Sequence, residues 1–110
     1  MKSVEKLVNL EALHLNFNHI SKIEEPIASM TQLKKIWLSE NKITKIENLP
    51  KEIEELWLAN NMIEKIPNEI AQYPNIEFLN IAGNFILDFE DIYNLQELKK
   101  LKKLYLSDIN

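Results

Sequence analysis

One spacing is written four times in this chain, and a fifth writing begins before the sequence stops. Leu10-x-x-Leu13-x-Leu15-x-x-Asn18-x-Ile20 returns as Leu33-x-x-Ile36-x-Leu38-x-x-Asn41-x-Ile43. It returns again as Ile53-x-x-Leu56-x-Leu58-x-x-Asn61-x-Ile63 and as Ile76-x-x-Leu79-x-Ile81-x-x-Asn84-x-Ile86. The fifth copy, Leu101-x-x-Leu104-x-Leu106, is incomplete at Asn110. Successive asparagines stand 23, 20 and 23 residues apart. A period of this size marks supersecondary units that cannot each bury an apolar face alone, so the copies must stack. All 110 residues read as a single domain, with repeats starting near 10, 33, 53, 76 and 101. Residues 1–9 read as a partial N-terminal cap, because Val4, Leu7 and Leu10 mimic the back half of a repeat.

Inside each copy the x-Leu-x-Leu-x stretch alternates apolar and polar, the period of a half-buried strand. Strands are expected near Leu13–Asn16, Ile36–Ser39, Leu56–Ala59, Leu79–Ala82 and Leu104–Ser107. Each is too short to stand alone, so the fold class is an α/β solenoid of about four and a half repeats. It is a right-handed superhelix with a short parallel concave sheet. The convex side should be mostly 3₁₀ or extended. Pro26-Ile27-x-x-Met30 and Pro67-x-x-Ile70-x-x-Tyr73 suit short helical turns, because proline is tolerated at a first helical position. Glu47-Asn48-Leu49-Pro50 is the shortest connection and should be extended or 3₁₀. In the last connection Asp88 can cap a true helical segment whose apolar stripe is Ile92, Leu95 and Leu98.

Asn18, Asn41, Asn61 and Asn84 share one register, where the chain turns away from the strand among inward-facing residues. An amide can both donate and accept, so a stack of four forms a ladder for turn groups that the sheet cannot reach.

The residues between the inward leucines project from the concave surface. Their central column is His14, Trp37, Trp57, Asn80 and Tyr105. A register that buried either tryptophan would expose Ile36 and Leu38, or Leu56 and Leu58. The preceding column includes Lys35, Glu55 and Phe78, and the following one is small and polar, leaving the indoles accessible. Tryptophan and tyrosine suit the hot centres of protein interfaces, since each covers a large area with few rotatable bonds. The expected protein-binding residues are therefore His14, Lys35, Trp37, Glu55, Trp57, Phe78, Asn80 and Tyr105. Lys34-Lys35 facing Glu54-Glu55, and Glu77 facing Lys102-Lys103, should mainly fix lateral register.

Little in the sequence points to chemistry. The two histidines, His14 and His19, belong to no metal-ligand spacing, and there is no cysteine. A Ser39–His14–carboxylate trio on an open repeating sheet would lack a pocket and an oxyanion hole. The expectation is a non-enzyme without metal or cofactor. All 13 basic residues are lysine and the formal charge is −4, a poor match to nucleic acid. No apolar run is long enough to span a membrane. The lack of cysteine suits a reducing, cytoplasmic setting.

The copies resemble leucine-rich repeats of the short intracellular subclass found in the regulatory subunit of type-1 protein phosphatase. Residues 36–46 and 55–66 carry that resemblance best, and they are also similar to repeats of the axonemal outer-arm dynein light chain. Ile66-Pro67-x-x-Ile70 resembles the longer bacterial and plant type instead. The resemblance implies a curved, non-enzymatic scaffold that binds a partner protein on its concave face. The alternatives are a structural segment of a larger repeat array or of a cytoskeletal or axonemal assembly, and a specificity arm regulating a phosphatase or other enzyme. The nucleus and the axoneme join the cytoplasm as implied locations. The family's usual C-terminal cap is not found after the fifth copy. The expectation is a fragment of a longer array or an edge covered by a partner. The chain would be a monomer if capped and could self-associate through the open C-terminal end.

Overall fold

The computed structural model describes residues 9–107. Five three-residue strands, β1 (Ala12–His14), β2 (Lys35–Trp37), β3 (Glu55–Trp57), β4 (Phe78–Asn80) and β5 (Lys103–Tyr105), form one parallel sheet in sequence order. Leu13 pairs with Ile36, Ile36 with Leu56, Leu56 with Leu79 and Leu79 with Leu104, so equivalent positions lie side by side. Strand parity follows the apolar pattern. Ile36, Leu38, Leu56 and Leu58 are at most 1% exposed, while Trp37 and Trp57 between them are half-buried on the other face. The partial cap expected over residues 1–9 lies outside the described residues, apart from Asn9. So do the last three residues, 108–110.

The strands begin one residue earlier than the sequence suggests and end two residues sooner. The reason is that side chains take over the lateral bonding beyond the third residue. Ser39 N–H donates to Asn16 Oδ1 at 2.7 Å, and Ala59 N–H to Ser39 Oγ at 3.1 Å. Backbone bonds resume alongside, with Leu38 N–H to the Trp57 carbonyl at 2.8 Å and Glu40 N–H to the Ala59 carbonyl at 2.9 Å.

The core continues under the sheet. Ile43, Ile63 and Ile86 are buried after the turn, as are Ile23, Ile46 and Ile66, whereas Ile20 is only half-buried. Three convex connections are 3₁₀ segments, Glu25–Ser29, Asn68–Gln72 and Phe89–Glu97. Pro26 lies in the first turn of the first, and Pro67 immediately precedes the second. Glu47–Pro50 holds no helix and bends at Asn48, whose φ is 56°. The last connection was expected to be an ordinary helix and is 3₁₀ throughout. Its core-facing residues explain this: Ile92, Leu95 and Leu98 recur every third position, and in a 3₁₀ helix such residues eclipse on one row. Asp88 caps the segment, its Oδ1 accepting from Glu90 N–H at 2.9 Å.

The residue before each asparagine of the repeat is left-handed: Phe17 (φ 59°), Glu40 (60°), Asn60 (56°) and Gly83 (70°). At Gly83 a second constraint applies, because a Cβ there would collide with the Asn60 side-chain oxygen. Gly83→Ala is therefore expected to lower stability by ~1–2 kcal/mol. A Gly83→Ala/Asn60→Ala double variant should regain the steric part but not the backbone part. Urea midpoints of the two variants check this.

Candidate functional site

The concave face stands on the turns behind it. Asn61 Nδ2 donates to the carbonyls of Leu38 (2.9 Å), Leu58 (3.1 Å) and Ala59 (3.3 Å), and its Oδ1 accepts from Ile43 N–H at 2.9 Å. Asn84 repeats the pattern, donating to Leu58, Ile81 and Ala82 and accepting from Ile63 N–H. Asn41 does the same with Leu15, Leu38 and Ser39, and accepts from Ile20 N–H at 3.0 Å. Each amide thus joins its own turn to the turn of the preceding copy. Asn18 is the exception. It is exposed, and among the described residues its Nδ2 reaches only Leu15 and Asn16 of its own turn.

Held in that register, the aromatic side chains form one row across all five strands. His14 stacks on Trp37 with centroids 4.0 Å apart and planes within 10°. Trp37 and Trp57 are near-parallel at 6.3 Å and 11°. Trp57 meets Phe78 edge-on at 4.4 Å, and Phe78 meets Tyr105 at 5.5 Å. The row therefore leaves the central column at the fourth strand. Asn80 occupies that column, but its Oδ1 accepts from Ala82 N–H at 3.1 Å, so the amide oxygen is turned to its own backbone. Phe78, one column away, fills the gap between Trp57 and Tyr105. Sequence alternation places Phe78 in the site but one column from its centre; ring size brings it into the row.

The charged pair at the site is coupled to the row. Lys35 Nζ lies 3.4 Å from Glu55 Oε2, while Glu55 Oε1 accepts from Trp57 Nε1–H at 3.4 Å. The carboxylate holds the indole and the lysine at once. Lys102 and Glu77 pair at 3.3 Å farther along the sheet. Both pairs are partly solvated, so their weight is in orientation more than stability.

Stacking also decides what the site can offer. The faces between His14, Trp37 and Trp57 are turned to one another, so along that part of the row a visitor meets ring edges and indole rims. Aromatic edges carry partial positive charge and suit carbonyl or carboxylate oxygens and the faces of other rings. Tyr105 remains 43% exposed at one end and His14 is exposed at the other.

Three convex anchors lie outside the repeat pattern. Asn48 Nδ2 donates to the Ile23 carbonyl at 2.8 Å, Asn94 Nδ2 to the Ile66 carbonyl at 2.7 Å, and the Tyr73 hydroxyl accepts from Leu49 N–H at 3.3 Å. The available signal was an asparagine in the convex connections of the second and fourth copies, blurred by Asn68 and Asn75 in the third. It is weak, because the connections differ in length. Leu87, Phe89 and Tyr93, all largely exposed, were also not singled out.

Comparison with known proteins fits this geometry. A family model described as leucine-rich repeat matches residues 2–109. A leucine-rich-repeat protein of Leptospira interrogans is similar in structure, with a TM-score of 0.86 and 30% identity, over 97% of this chain and 28% of that one. An internalin of Listeria monocytogenes gives 0.82 and 30%, over 97% of this chain and 31% of that one. Internalin C2 of the same organism gives 0.83 and 26%, over 97% and 46%. The chain thus spans less than half the length of each of these three. No curated protein matches it in sequence. Among the described residues, no helix is long and apolar enough to cross a membrane.

Proposed function

Because this chain belongs to the leucine-rich-repeat family, we propose that it works as a non-enzymatic scaffold whose concave face binds a partner protein. The observation that carries this reading is the unbroken row His14–Trp37–Trp57–Phe78–Tyr105, set beside a column of small residues. Large, rotamer-poor side chains lined up on a rigid sheet are what interface hot spots require. Lys35, Glu55 and Asn80 surround the row as orienting polar groups. Ring edges favour a peptidic partner, whose carbonyls and aromatic side chains complement them.

The test is capture of a partner from cell extract by the wild-type chain and by a Trp37→Ala/Trp57→Ala variant. The variant should keep its circular dichroism and lose at least ~2 kcal/mol of affinity, the size of a hot-spot truncation. Retention of the same partner at the same affinity would remove the concave face as the site.

The finer reading rests on residues 36–46 and 55–66, which resemble the short intracellular form. It makes the chain a cytoplasmic regulator, such as the specificity arm of a phosphatase, or a segment of a larger or axonemal array. Light scattering distinguishes the array segment, which would form oligomers that grow with concentration.

A further inference from the structure

The fourth repeat departs from the other three just after its asparagine. Where the earlier copies carry His19, Lys42 and Met62, it carries Phe85. Where they carry Ser21, Thr44 and Glu64, it carries Leu87. Where they carry Ile23, Ile46 and Ile66, all within the core, it carries Phe89, which is 72% exposed. The backbone explains the reversal. Asp88 caps a 3₁₀ segment that opens at Phe89, and Leu95 and Leu98 of that segment supply the buried apolar contacts instead. Phe85 N–H donates to the Ile63 carbonyl at 2.9 Å and Leu87 N–H to the Glu64 carbonyl at 3.1 Å, which ties the strip to the preceding repeat. Phe85 and Leu87 then point outward around the buried Ile86. Tyr93 is outward too, on the same 3₁₀ row as Glu90.

Four large apolar side chains are thus in water within nine residues of chain; Leu87 and Phe89 stand at positions that are polar or buried in the other three copies, while Phe85 matches the equally exposed Met62 of the third. A concentrated apolar patch with a polar rim marks an interaction surface. Within its own stretch of chain the charge is one-sided, and the copy alongside adds exposed Glu64 and Lys65. Residues 84–98 contain Asp88, Glu90, Asp91 and Glu97 and no lysine, in a chain with 13. Asp91 is committed inside, accepting from Ile66 N–H at 3.3 Å, but Glu64, Asp88 and Glu90 are exposed around the apolar residues.

We propose that this strip, Phe85–Leu87–Phe89 with Tyr93, is a second docking surface, for a cationic amphipathic segment of another protein. Apolar side chains of that segment cover Leu87 and Phe89, and its lysines or arginines meet Glu64, Asp88 and Glu90. A second copy of this chain fits less well. A two-fold pairing would set the same acids against each other across the contact. The strip lies beyond the asparagine turns, off the strands that bear the aromatic row, so the two surfaces are separable.

The probe is a fluorescein-labelled helical peptide of leucine and lysine alone, followed by anisotropy, with a leucine–glutamate peptide of the same pattern as control. The leucine–lysine peptide should bind saturably, and a Leu87→Ser/Phe89→Ser variant should bind at least ~tenfold more weakly. Both side chains are mostly in water, so that variant keeps its fold. A Glu64→Gln/Glu90→Gln variant should weaken binding and flatten its salt dependence. Trp37→Ala, which alters the concave row, should leave the affinity for this peptide unchanged. The proposal is overturned if the serine variant binds as well as wild type, or if the leucine–glutamate peptide binds equally. It is also overturned if only Trp37→Ala abolishes binding, which would put the peptide in the concave row. A dimer seen in sedimentation and lost in the serine variant would make a second copy the occupant and overturn it as well.

Discussion

Leu58→Ala should lower the unfolding free energy by ~3–4 kcal/mol, whereas Trp57→Ala, one residue away, should lower it by only ~1 kcal/mol. Leu58 is wholly buried and lies between neighbouring repeats, so its truncation removes transfer energy and leaves a cavity that a stacked sheet cannot close. Trp57 is larger but stands on the solvent side. Its loss forfeits the edge-on contact with Phe78 and the bond to Glu55, and opens no internal void. The order of the two effects is the reverse of their side-chain sizes. Urea unfolding with an unchanged m-value measures both. A tryptophan variant weaker than the leucine variant would mean that the faces of the sheet have been assigned backwards.

Asn61→Ala should cost ~2–3 kcal/mol, and Asn18→Ala no more than ~0.5 kcal/mol. The two residues share one place in the sequence pattern, yet their surroundings differ. Asn61 is 3% exposed and satisfies Leu38 and Leu58 carbonyls and Ile43 N–H, all inside the protein. With alanine in its place Ile43 N–H stays buried without a partner, and the Leu38 and Leu58 carbonyls keep only the amides of Asn41 and Asn84, which costs more than the lost bonds themselves contributed. Asn18 is exposed, and water can replace its amide at Leu15 and Asn16. Comparable thermal shifts for both variants would show that the inter-repeat bonds carry no special weight.

The sequence was most informative where one pattern repeats. Leu13, Ile36, Leu56, Leu79 and Leu104 recur at one position, so side-by-side stacking left a single register for the sheet. Burial of Ile36 and Leu38 around Trp37 follows from alternation alone. Strand ends were less legible, because Asn16 and Ser39 replace backbone partners with side-chain ones, and nothing in local propensity signals that exchange. The turn from Asn80 to Phe78 in the aromatic row depends on ring reach, which a column diagram ignores. Phe89 occupies a position that is buried in three other copies, and only the 3₁₀ geometry after Asp88 reveals that it faces out.

The buried amides give the array a polarity. Asn41, Asn61 and Asn84 each reach back to the turn before them, so Ile63 N–H depends on Asn84 while nothing in the fourth turn depends on Asn61 in the same way. Peeling the solenoid from its high-numbered side therefore strips the next unit of a partner at every step, like a zip run open. Peeling from the low-numbered side leaves the amide-held turns ahead of it clasped and instead frees N–H groups such as those of Ser39 and Met62, which donate to the copy before, so the two directions of unravelling differ in what they break.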